Sequence, residues 1–464
     1  MPTLDLDLFD IQGFIARGYA PLKAASYILL EVTDAAAARG WLGGLVEQVT
    51  PAPASAPPTA LNVALSASGL ARLGLSSDVL DQFPNELTAG MTTPHRRRSF
   101  GDVGPSAPEG WLWGGPTTPR LDVLLLVFAA DAVSLEATTA RLAAAYAGLR
   151  EVIRLETAVD LDGREHFGFA DGISQPTVDG LSSRTDIPPN TIAAGEFILG
   201  YPNEYGLYTD RPLLDRSADP NDILPLDAQG SGRADLGRNG SYVIFRHLRQ
   251  DVRGFWRFAD QAAGERREWL AARMVGRWPS GAPVTLAPEA DDPTLAGAND
   301  FTYAYGDAHG LQCPIGAHVR RCHPRDSLDP DPGTVRSVAL DKRHRLLRRG
   351  REYGPPVAPA ERLGPTPPDD PERGLYFLCV AANIARQFEF IQSTWLNNPK
   401  FDQLYDEPDP LVGNHTAAPA HFSVPMDPVR LHYAHLPQFV TVRGGGYFFL
   451  PGLRALRYLA SLPG

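Results

Sequence analysis

Two stretches of this chain carry the same succession of apolar strands and helices, and that repetition limits the fold more than any other feature. In the first half, Ser26-Tyr27-Ile28-Leu29-Leu30-Glu31-Val32 reads as a strand and is followed by an Ala-rich helical stretch over 34–49. Residues 61–65 offer another strand, and Leu121-Asp122-Val123-Leu124-Leu125-Leu126-Val127-Phe128 a buried one. A second Ala/Leu helix covers 133–149 and a short strand 152–157. The second half repeats the order. Tyr242-Val243-Ile244-Phe245-Arg246-His247 is a strand, 250–275 a long helical pattern, Leu375-Tyr376-Phe377-Leu378-Cys379-Val380 a strand and 383–397 a helix. Phe439-Val440-Thr441-Val442 and Tyr447-Phe448-Phe449-Leu450 then read as a hairpin, with Gly444-Gly445-Gly446 free to adopt the turn.

Strand–helix–strand, taken twice, is the split βαβ or ferredoxin-like order. It predicts an α+β fold of two such domains, 1–235 and 236–464, whose sheets pack together or lie side by side. A chain of 464 residues is long enough for both. Between the strands of the second half, residues 279–373 form an insertion rich in Pro, Gly, Asp and Arg, and so long an irregular stretch either serves a function or is partly disordered.

Charge and cysteine content narrow the function classes. A net charge of −11 leaves no basic face for phosphates, which argues against a nucleic-acid partner. The basic run His95-Arg96-Arg97-Arg98 reads as a solvated loop. Three cysteines, Cys313, Cys322 and Cys379, make no disulfide framework and fit a reducing compartment, and there is no C-x-x-C-H for covalent haem attachment. The N-terminal residues show no leader, no targeting tail is read at 461–464, and no apolar run of about 18 residues offers a membrane span. The expectation is a cytoplasmic protein with no membrane partner.

Four places could carry chemistry. His318 is one of 11 histidines, and a lone histidine is more often structural; its Pro/Gly approach and the following Arg320 and Arg321 would suit an imidazole facing an anionic cofactor. Asp171, in Phe167-Gly168-Phe169-Ala170-Asp171-Gly172, is an acid among apolar residues and glycines: either a perturbed acid–base or the cap of a turn. Arg348 belongs to a basic cluster of a kind that is usually a solvated face. Glu389, between Phe388 and Phe390 on a helix, is an exposed acid or a half-buried one in need of a partner such as a ligand histidine's ring N–H.

Taken together these segments resemble the dye-decolourising peroxidase family, almost end to end. The motifs are Asp10-Ile11-Gln12-Gly13 with Arg17-Gly18-Tyr19, the signature Gly168-x-x-Asp171-Gly172, and Arg238-Asn239-Gly240-Ser241-Tyr242 with Phe245-Arg246. His318, Arg348, Glu389 and the run from Arg443 to Phe449 complete the series. The resemblance implies two ferredoxin-like domains of the dimeric α+β barrel-like superfamily. It implies a peroxidase that reduces hydrogen peroxide and oxidises dyes, phenols or other organic donors, as a monomer or homodimer.

In that reading haem b is held non-covalently, with His318 as axial iron ligand and Arg320, Glu389, Leu375 and Phe377 at the cofactor. Glu389 accepts the ring N–H of His318, Asp171 moves the peroxide proton, and Arg348 steadies charge as the O–O bond breaks. His318 and Arg348 are 30 positions apart, which leaves Arg349 as the neighbour to be told from Arg348. Tyr353 is the candidate electron relay, and Trp395 reads as core. A non-catalytic haem carrier or sensor, a ferredoxin-like binding module without haem, and a Mn(II)-oxidising peroxidase are the competing expectations.

Overall fold

The computed structural model describes residues 5–53, 57–158, 161, 163–181, 187–416 and 419–463; residues 1–4 and 464, which carried part of the reading of the termini, lie outside them. The first half builds β1 (Ala24–Val32), α1 (Ala35–Val46), β2 (Thr59–Leu65), β3 (Val123–Ala129), α2 (Ala132–Ala144) and β4 (Leu149–Glu156). Both helices start where an aspartate precedes an apolar run. Asp34 accepts the Ala37 N–H at 2.9 Å and Asp131 that of Ser134 at 2.8 Å, each satisfying an amide that the helix cannot. β3, apolar throughout, is buried along its whole length because β1 and β2 flank it on either side.

The second half builds β5 (Ser241–Gln250), α3 (Val252–Ala263), α4 (Arg267–Val275), β6 (Leu347–Arg348), β7 (Arg351–Tyr353), β8 (Gly374–Ala381), β9 (Val440–Leu450) and α5 (Leu453–Ala460). The helical pattern over 250–275 is two helices, broken where Gly264 takes a φ of +57°. The expected hairpin at 439–450 is a single 11-residue strand. Its glycines serve packing instead of a turn: a Cβ on Gly444 would lie 2.6 Å from the Trp113 ring, and one on Gly445 2.5 Å from the Met91 sulfur. Glycine in a strand marks such close approach as readily as a bend.

These nine strands form one sheet in the order β6-β8-β5-β9-β2-β3-β1-β4, with β7 also on β8. The halves join edge to edge where Phe449 of β9 pairs with Leu65 of β2. They also meet face to face, since Tyr27 packs edge-on against Phe245 at 5.5 Å and Tyr376 at 5.8 Å. The two arrangements left open by the sequence therefore both occur, in a curled, barrel-like α+β body. Side chains alternate across β5 and β8. His247 and Tyr376 enter the inter-sheet core, while Arg246, Leu248, Leu375 and Phe377 face a cavity on the other side.

Candidate active site

The cavity has a volume of about 280 Å³, close to the lower end of the roughly 300–1,000 Å³ of ordinary ligand pockets. Three parts of the chain distant in sequence close on it: the loop with Asp171, the insertion with His318 and Arg348, and the helix after β8. Its apolar wall includes Phe167, Phe169, Val275, Leu375, Phe377 and Phe388. The insertion is thus ordered where it matters, with the short helix His318–Cys322, the helix Val335–Lys342 and strands β6 and β7.

His318 keeps 27% of its side-chain surface accessible and lines the cavity. Its Nδ1 lies 2.9 Å from Asp409 Oδ2, so in the neutral ring Nδ1 carries the proton donated to that carboxylate and Nε2 holds the lone pair. Burial works to lower the imidazole's pKa, but the charge and hydrogen bond of Asp409, with the Cys322 thiol, raise it well above the ordinary histidine value. Asp409 itself is fully buried, and its Oδ1 accepts the Leu411 and Val412 N–H groups, both at 2.9 Å. Burial pushes its pKa up, yet His318 and those contacts hold it below the usual carboxylate range. The Cys322 sulfur, one helical turn on, lies 3.7 Å from Nε2 and 3.9 Å from Nδ1.

Glu389 does not occupy the place expected of it. It accepts from Arg96 Nε at 2.7 Å and from the Tyr447 hydroxyl at 2.8 Å, away from the cavity, and Asp409 is the partner of His318. The reason lies in the helix, which winds as a π-helix over Ala385–Glu389 and Ile391–Leu396. Its wider turn, with Glu389 N–H bonded to Ile384 O, presents Phe388, Ile391 and Gln392 to the cavity and turns Glu389 behind them. Arg96 in turn lies in a capped helix, Pro94–Phe100, and is buried, so the basic run is not a solvated loop.

Arg320 is likewise displaced from its expected cofactor contact. Residues two apart on a helix face opposite ways. Arg320 therefore points from His318 into the protein, buried over the Tyr303 ring at 4.4 Å and donating to Asp307 and to Cys313 O. Other arginines line the cavity: Arg246, paired with Asp102 at 2.7 Å, and Arg277 and Arg345, which both donate to Ser174. Beside Arg345 sits His323, whose buried Nδ1 has no partner among the described residues.

Asp171 and Arg348 come together on the cavity. Arg348 Nη1 donates to Asp171 Oδ1 at 2.8 Å, and the Gly172 N–H donates to the same oxygen at 2.6 Å. Asp171 Oδ2 and Arg348 Nη2 lie outside these two contacts. Burial would raise the Asp171 pKa, but the Arg348 charge and hydrogen bond more than offset it and hold the carboxyl below the ordinary value. Arg349 is distinguished at once, for its guanidinium donates to the carbonyls of Phe14 and Ile15. Leu375 and Phe377 line the cavity. Tyr353 is buried on the other face of the sheet, stacked on Tyr376 at 4.5 Å with its hydroxyl on Glu372, and so is not a surface aromatic. Trp395 is core.

A paired Asp–Arg and a carboxylate-held histidine thus lie on one cavity, set on a doubled ferredoxin-like fold. The comparisons give the family. The chain is 32% identical to the dye-decolorizing peroxidase msp1 of Mycetinis scorodonius, over 98% of this chain and 88% of that one. It superposes on the crystal structure of a dye-decolourising peroxidase from Auricularia auricula-judae with a TM-score of 0.78 and 26% identity, covering 98% of this chain and 100% of that one. A dye-decolourising peroxidase engineered in its heme pocket for asymmetric sulfoxidation gives a TM-score of 0.79, 26% identity and the same coverage. No family model matches. The chain belongs to the dye-decolourising peroxidase family and is a peroxidase. Among the described residues no helix is long and apolar enough to cross a membrane.

Proposed function

We propose that the protein is a haem b peroxidase that reduces hydrogen peroxide and oxidises dyes, phenols or other organic donors, with two domains, 1–235 and 236–464. The observation that carries this reading is the single cavity shared by His318, with its Nδ1 tied to buried Asp409, and the Asp171–Arg348 pair. Haem fits the residues present. The free Nε2 of His318 is a neutral donor for the iron, and the apolar wall suits a macrocycle. Arg277, Arg345 and the orphaned Nδ1 of His323 suit its carboxylates. When bound, haem supplies the iron at which peroxide is reduced and the store of oxidising equivalents for the donor.

The chain's own residues do the rest. Asp409 fixes the ring of His318 and makes it a stronger electron donor. Asp171 takes a proton from peroxide at its Oδ2 and returns it to the leaving oxygen. Arg348 keeps Asp171 ionised and offers Nη2 to the negative charge that grows on the departing oxygen. A Mn(II)-oxidising role finds no cluster of three or more His, Cys, Asp or Glu among the described residues to hold the ion. We place the enzyme in the cytoplasm on its three free thiols, as a monomer or homodimer.

The test is an absorption spectrum of the protein supplied with haem, before and after one equivalent of peroxide. A Soret band that changes with peroxide and returns on adding a dye carries the reading. A Soret band indifferent to peroxide makes the protein a haem carrier, and no Soret band removes the haem.

A further inference from the structure

Arg348 lies on β6, the outermost strand of the sheet. In an antiparallel pair successive residues alternate between bonding the neighbour and pointing away from it. Arg349 N–H bonds Leu378 O across to β8, so the main-chain N–H and C=O of Arg348 face the open edge. Exposed edges of this kind are normally covered. Here one side chain covers both groups: Gln175 Oε1 accepts the Arg348 N–H at 3.1 Å, and Gln175 Nε2 donates to the Arg348 C=O at 3.1 Å. Arg349 Nη1 also donates to that carbonyl, at 3.1 Å.

Gln175 belongs to the same loop as Asp171. We infer that Gln175 is a positioning residue, whose carboxamide fastens the main chain of Arg348 to the Asp171 loop and so sets the geometry of the Asp171–Arg348 pair. The inference rests on the roles proposed above for those two residues. Only a primary carboxamide offers a donor and an acceptor side by side to match a peptide edge. Glutamate, of the same size, would set a second acceptor against the Arg348 carbonyl. The loop has another tie to this segment, through Arg345 Nη2 to Ser174 O at 2.9 Å and to Asn190 Oδ1 at 3.0 Å. Losing the amide should thus free Arg348 without releasing the loop. The charges facing Asp171 are then Arg348, His318, and the carboxylates of Glu165 and Glu352. With Arg348 loosened, burial and the two acids weigh more heavily against the His318 charge and the Gly172 N–H.

The experiment uses the haem-loaded ferric protein and its Gln175→Leu and Gln175→Glu variants. Fluoride affinity, read by absorption titration, reports the donor that Arg348 presents to an anion. The pH profile of the reaction with peroxide reports the Asp171 proton. Fluoride binding about tenfold weaker in both variants, the low end for losing a partner of a functional group, is the first expected result. An acid limb moved up by about one pH unit, as a loosened opposite charge allows, is the second. Unchanged affinity and profile overturn the inference, as does failure of both variants to take up haem, which would make Gln175 a folding residue. Arg348→Leu separates this from the parent reading. If it alters fluoride binding and the Gln175 variants do not, only the inference falls; if Arg348→Leu alters neither readout, the proposed role of Arg348 falls.

Discussion

His318 Nδ1 and Asp409 Oδ2 stand 2.9 Å apart although 91 positions separate them in the chain. The carboxylate is held on its other oxygen by two backbone amides, so it has no freedom to follow a ring that swings. Asp409→Asn keeps a hydrogen-bond acceptor but removes the charge. It should lower haem affinity or peroxidase activity by roughly 10–100-fold, the range for partners of metal-bound histidines. A haem titration and steady-state assay check this. Wild-type values in Asp409→Asn would leave His318 oriented by something else.

The pair on the same cavity should fail differently. Asp171→Asn removes the proton acceptor, a loss of about 10²–10⁴ in the rate of the peroxide step. Arg348→Leu removes a donor to developing charge, about 10²–10³. Both should still bind haem, since neither touches His318. Stopped-flow mixing with peroxide measures each, and a variant that reacts at the wild-type rate loses its role.

The same pair sets the response to pH. The Asp171 pKa lies below its ordinary value because Arg348 outweighs burial. The carboxylate therefore accepts protons above that pKa and stops doing so only as pH falls through it. An unperturbed aspartate titrates near 3.9 and histidine near 6.5, so activity should persist far into acid, with an optimum below about pH 5 for dyes. In Arg348→Leu burial is opposed only by the Gly172 N–H and the His318 charge, and whatever activity remains should lose part of its acid tolerance. A dye assay peaking at neutral pH would count against Asp171.

Much of this was legible in the sequence where local signals were strong. The apolar runs of β1, β3, β5 and β8 have no other good use, and Asp171, His318 and Arg348 lie in segments that the family resemblance placed. What escaped depended on contacts no local pattern carries. Gly444 and Gly445 looked like a turn because Trp113 and Met91, which need their bareness, are hundreds of residues away. The helix 383–397 was read at 3.6 residues per turn, and its π winding rotated Glu389 out of the site. Asp409 sits between Pro408 and Pro410 among other acids. That rigid Pro-Asp-Pro setting was a usable signal, although many loop acids share it.

Glu389 now has a structural office that can be set against the catalytic one. It joins Arg96 and the Tyr447 hydroxyl in a buried cluster, with side chains of Arg96 and Glu389 only 9% and 16% accessible. Arg96 also reaches Asn85 and Glu86, so the cluster ties the helix Pro94–Phe100 to the π-helix and to β9. Removing one partner of such a pair strands the other, at about 3–5 kcal/mol. Arg96→Leu should therefore lower the thermal midpoint by several degrees. Glu389→Gln, which keeps an acceptor for both partners, should cost less. Neither change reaches His318, so the haem spectrum and the peroxide rate of folded protein should match wild type, in contrast to Asp409→Asn. Calorimetry alongside absorption spectra decides it. A Glu389→Gln protein as stable as wild type but with an altered haem spectrum would return Glu389 to the cofactor.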